Sequence, residues 1–142
     1  MKELLEGNFR LLITEVVQCA SEARELLIKR DGAKSRSLFH RGAYVSTLVA
    51  QLQKIAADVT VNRANGPRET LFLQGLSSIS SRLERVSDIL QNLDRQADFL
   101  SHVAVLYPYR LDEFFNQIFN GIEKIQPALF QQDLSRAIKL GQ

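Results

Sequence analysis

Glu84 and Asp88 stand four residues apart. On a helix that spacing puts two carboxylates on one face, about 5 to 6 Å apart at Cβ, near enough for their oxygens to share a hard cation. Two carboxylates rarely complete a coordination sphere, however. Relative to the hydrophobic seam described below they fall on the side facing away, so the plainer expectation is a solvated helix face, with Glu84 or Asp88 paired to Arg85 or Asn92. The other chemistry-bearing residues are sparse. Neither His40 nor His102 follows a Glu at three positions' distance, which removes the paired Glu-x-x-His ligands of di-iron bundles. Cys19 is the single cysteine, so no internal bridge, thiolate metal site or redox pair can form, and a reducing cytoplasm fits such usage.

The most basic stretch contains Lys29, Arg30, Lys34, Arg36, His40 and Arg41, with Asp31 alone opposing it. It suits an acidic surface or a phosphate group. More plainly, Lys29 and Arg30 sit where cations favour a helix C-terminus, and Lys34 and Arg36 are expected in the exposed connection. No Ser or Cys has the partners of a catalytic triad, and no glycine-rich phosphate loop follows a strand. We therefore expect no enzyme and no catalytic residue.

The elements that position these residues are helices. Breaks at Asp31-Gly32, Asn65-Gly66-Pro67 and Tyr107-Pro108, with a softer one at Gln126-Pro127, divide the chain into helix-length segments. In the first, Leu5, Phe9, Leu12, Val16, Cys19, Ala23 and Leu26 recur at steps of four and three. Cys19 thus reads as a small buried hydrophobe. Leu38, Gly42, Val45, Val49, Leu52, Ala56 and Val59 repeat the rhythm, with Gly42 marking a close approach or a weak turn. The third seam runs Phe72, Leu76, Ile79, Leu83, Val86, Leu90, Leu93, Ala97 and Leu100, a rod of roughly 50 Å at about 1.5 Å per residue. Leu111, Phe115, Ile118, Ile122 and Ile125 carry a fourth. Phe114, Phe115 and Phe119 place aromatic bulk beyond one stripe, as for a dimer surface or a further packing unit.

No window alternates with period two, so no strand is expected. The fold class is all-α, an antiparallel bundle of long helices with crossing angles near +20°. At 142 residues the chain can bury a core without staples, and 45% hydrophobic with 24% charged residues is the balance of a folded protein. A net charge of +2 is too mild for nucleic acid to be the main partner. No apolar run reaches the roughly 18 residues of a membrane span, and Glu3 and Glu6 oppose a signal peptide, so we expect neither export nor direct membrane insertion.

Two stretches carry a family resemblance. Glu6-Gly7-Asn8-Phe9-Arg10 through Glu15-Val16 resembles the opening helix of PhoU-like phosphate-uptake regulators. Leu83-Glu84-Arg85-Val86-Ser87-Asp88, with Asn92 four residues on, resembles that family's Leu-Glu-Arg-Ile-x-Asp signature, which also lies on a long third helix. Leu27-Ile28-Lys29-Arg30-Asp31 and Leu129-Phe130-Gln131-Gln132-Asp133 form a weak internal repeat, in keeping with the family's tandem three-helix units. The resemblance implies a complete three-helix repeat over residues 1–107 and a fourth helix opening a truncated second repeat over 108–142. It further implies a cytoplasmic regulator of phosphate uptake or phosphate-starvation signalling that works by contacting a transporter subunit or a sensor kinase. Some family members bind iron or zinc through Glu/Asp-x-x-x-Asp motifs, the spacing of Glu84 and Asp88; Arg85 and Asn92 complete the signature. The family's second helix usually brings acidic residues to the same surface, and Gly42–Thr47 here contains none. The competing expectations are an oligomerisation bundle with no phosphate link, and a carboxylate metal-binding bundle.

Overall fold

A computed structural model describes residues 2–62, 66–96 and 108–131. Among them the chain is helical throughout: α1 spans Lys2–Ile28, α2 Gly32–Asn62, α3 Pro67–Arg95 and α4 Pro108–Gln126, the last running into a single π-helical turn, Pro127–Gln131. The all-α bundle is the observed architecture. Asn65, Ala97, Leu100, His102, Tyr107 and Asp133 lie outside the described residues.

Only Lys29, Arg30 and Asp31 separate α1 from α2, so the two must lie antiparallel. Asp31 caps α2, its Oδ1 accepting from the Ala33 N–H at 2.9 Å and its carbonyl from the Ser35 N–H at 3.0 Å. This moves two expected loop residues. Lys34 and Arg36 are on the first turns of α2, because the Asp31 cap starts the helix immediately. Gly66 likewise opens a helix, sitting extended at φ −66° and ψ 165° ahead of Pro67 at the start of α3. α3 stops at Arg95, where the Gln96 N–H turns back to the carbonyls of Asn92 and Leu93. Its 29 residues make a rod of about 43 Å.

The seams of α1 and α2 are buried at every named position. In α3 the register is rotated. Leu76, Leu83 and Leu90 are buried as expected, but the stripe completing the seam is Leu73, Ser80 and Ser87, while Phe72, Ile79, Val86 and Leu93 are only partly buried. Serine disguised this face. Ser80 is 0% exposed yet costs little there, since its hydroxyl donates to the Leu76 carbonyl one turn back at 2.8 Å. The effect is to turn α3 toward α2.

Ser35 bonds Asp94 and Gln53 bonds Ser81, pairings that run in opposite directions along α2 and α3 and so set them antiparallel. α4 lies along α1. At one end Arg24 pairs with Asp112 at 3.0 Å, and at the other the Phe130 ring, just beyond α4, meets Phe9 at 5.5 Å and Phe72 at 5.7 Å. Phe115 and Ile122 anchor α4 to the core.

Candidate functional site

The signature residues occupy one flank of α3. Ser81, Glu84, Asp88 and Gln91 follow each other at steps of three, four and three, which makes them a single helical stripe. Both ends of that stripe touch α2. Ser81 Oγ accepts from Gln53 Nε2 at 2.7 Å, and the Gln91 amide lies so close over Gly42 that a Cβ there would sit 1.8 Å from Nε2. Gly42 is therefore the close approach its position suggested. Glu84 and Asp88 consequently border α2 instead of pointing away from the bundle, as the sequence register had implied. The rotation of α3 described above is the cause. Glu84 is half-buried; Arg85, Asp88 and Asn92 are exposed.

The expected pairing of Glu84 or Asp88 with Arg85 or Asn92 does not form. Among the described residues none of the four side chains makes a hydrogen bond or ion pair. The α2 segment opposite them, residues 43–52, carries no carboxylate, so nothing on α2 extends the pair toward a metal site. Among the described residues no three His, Cys, Asp or Glu side chains come together in a group able to hold a metal ion. Two carboxylates fall short of the four donors iron or zinc ordinarily takes. On this donor set Glu84 and Asp88 do not by themselves fit a metal.

A second polar constellation joins α1 to α2 beside the core. Arg41 Nε donates to Glu22 Oε1 at 2.8 Å, and its terminal guanidinium nitrogen donates to Glu15 Oε2 at 2.9 Å. Ser37 Oγ donates to the same Glu22 oxygen at 2.9 Å. Arg41 is held above its usual pKa, first by the bond to Glu22 and then by that to Glu15, with burial working against both. Glu22 Oε2 is buried without a partner among the described residues. Arg41 thus leaves the basic stretch to become an interhelical clamp, and Lys34 leaves it too by pairing with Glu25 at 2.7 Å. The signal was available in part: Glu15 and Glu22 are seven residues apart and so share a face of α1.

Between these groups, Ser87 Oγ approaches Cys19 Sγ at 3.8 Å and lies 3.5 Å from Gln91 Nε2. Burial pushes the Cys19 thiol up to about 11, which keeps it protonated and a poor nucleophile. At the far end Ser35 Oγ donates to Asp94 Oδ2 at 2.5 Å, with Asp94 Oδ1 buried and unpartnered among the described residues beside a small pocket of about 180 Å³. The arrangement fixes helix positions, ties down Ser81 and Gln91 at the ends of the stripe, and leaves Glu84 and Asp88 between them without a side-chain partner among the described residues. Among the described residues it sets up no nucleophile–base pair.

The chain matches no protein-family model, no curated protein sequence and no solved structure. No helix among the described residues is long and apolar enough to cross a membrane.

Proposed function

We propose that the chain is a PhoU-like regulator of phosphate uptake or phosphate-starvation signalling, acting in the cytoplasm by protein contact and not by catalysis. The observation that carries this reading is the signature run on α3. Its apolar members Leu83 and Leu90 face the core at 2% and 1% exposure, and its polar members Glu84, Arg85, Asp88 and Asn92 are left unengaged on one continuous surface. Surface charges that engage no side chain among the described residues are suited to an external partner, where they set orientation and association rate. A transporter subunit or a sensor kinase is the partner class this reading implies. Under it residues 1–107 form one three-helix repeat, and α4 opens a second.

The test is a phosphate-starvation reporter in phosphate-replete cells. Deleting the parent gene should switch the reporter on, and Glu84→Ala with Asp88→Ala should do so in part while the helix content stays unchanged. A reporter that stays silent on deletion would sink the regulatory reading. An oligomerisation bundle then leads, the reading favoured by the apolar surface left open between α3 and α4. The metal reading, with iron or zinc on Glu84 and Asp88, requires donors beyond this pair.

A further inference from the structure

α4 packs closely on α1 and stands off from α3. The space between α3 and α4 is an open groove of about 440 Å³. Its floor belongs to the core, where Leu83 and Ile122 are buried. Its walls are the partly buried Ile79 and Val86 of α3 and Ile118 and Ile125 of α4, and Gly121 leaves the α4 wall low, since a Cβ there would meet no atom within 4 Å. Among the described residues its polar side chains are Arg82 on the α3 rim and Gln117 on the α4 rim, both exposed, and no carboxylate lines it. The Arg82 guanidinium has no hydrogen-bond or ion-pair partner among the described residues. The groove lies on the flank of α3 away from α2, so Glu84 and Asp88 take no part in it.

We propose that this groove binds a single acyl chain with an anionic head, a fatty carboxylate, with the tail between the aliphatic walls and the carboxylate on Arg82. Size, lining and charge select that occupant. A helix laid along α3 from Ile79 to Val86, about 10 Å, would need roughly 800 Å³ at a diameter of about 10 Å, more than the groove offers. An alkyl chain fits within it. The lining is aliphatic throughout, with neither an aromatic ring nor a strand edge, and so rewards a tail that gains by leaving water and asks for no hydrogen bond. The rim supplies the rest. A guanidinium with no acid beside it offers paired N–H donors that match one carboxylate, and the Gln117 amide adds a donor on the opposite rim. The site is separate from the signature flank, so it stands or falls independently of the regulatory reading.

Titrating the full chain with decanoate, kept below its micelle concentration, tests this through the NMR methyl signals of Ile79, Ile118 and Ile125. Those signals should shift saturably, and affinity should rise about fourfold per added methylene from octanoate to decanoate. Arg82→Gln should weaken decanoate about fivefold, the upper range of an exposed ion pair, and leave decanol binding unchanged. Gly121→Leu, which fills the groove from α4, should abolish both. Neither residue belongs to the core, and unchanged circular dichroism verifies that each variant folds. The absence of a saturable shift overturns the proposal, as does decanoate binding that neither variant alters. Two further results overturn it by naming another occupant. Adsorption to phosphatidylglycerol vesicles without binding of monomeric decanoate assigns the surface to a membrane; isoleucine methyls shielded by a dimer that grows with protein concentration in sedimentation assign the groove to a second copy.

Discussion

The Cys19 thiol is completely buried in the seam of α1; burial raises its pKa most, the Ser87 hydroxyl and Arg41 work against it, and the Glu22 and Glu15 carboxylates add to it. Its folded pKa of about 11 lies above the ordinary 9.0. A raised value means that folding disfavours the thiolate. The stabilisation is complete below pH 9.0 and is lost as pH climbs through about 11. Urea midpoints taken across that window should fall more steeply for the native chain than for Cys19→Ala, by about 2 kcal/mol over the range. Equal slopes would show that the thiol titrates alike in both states. The residue's burial followed from its place in the four-and-three pattern; its contact with Ser87 did not, because nothing in one helix's sequence says which turn of another it meets.

At the scale of elements, α3 separates two kinds of buried residue. Leu83→Ala removes a side chain from the seam and should lower stability by about 2 to 5 kcal/mol, the transfer and cavity terms adding. Ser80→Ala should change it by no more than about 0.5 kcal/mol, since the hydroxyl bonds only its own helix and alanine is the better helix former. Chemical denaturation of both variants checks the pair; a large loss in Ser80→Ala would mean that the hydroxyl has a role beyond its own turn. The same element explains the misplaced flank. Periodicity assigned the seam to Phe72, Ile79, Val86 and Leu93 alongside the leucines, and the structure moved it toward Ser80 and Ser87. Small hydroxyl residues pack against neighbouring helices while reading as polar, so the sequence pattern was rotated by one stripe and carried Glu84 and Asp88 with it.

Across the whole molecule, α1, α2 and α3 close around one another, whereas α4 is joined mainly to α1 and has the open groove on its α3 side. An element packed on one flank opens at lower free energy than the core it rests on. Native-state exchange should therefore find the α4 amides around Ile118 opening more readily than those around Val16 in α1. Uniform protection in both would mean that α4 unfolds only with the bundle.

Much of this protein is written in local pattern. The helical class, all four long helices, the antiparallel order forced by short connections, and the buried faces of α1 and α2 follow from apolar spacing, Gly and Pro punctuation and the Asp31 cap, which act within a few residues. Only the tertiary structure placed Gly42 under Gln91, drew Arg41 out of a basic run into its clamp between Glu15 and Glu22, and left Glu84 and Asp88 unengaged at the border of α2. Those outcomes depend on how far each helix is rotated about its axis. That rotation is settled by side chains on different helices meeting, a term that no single helix encodes.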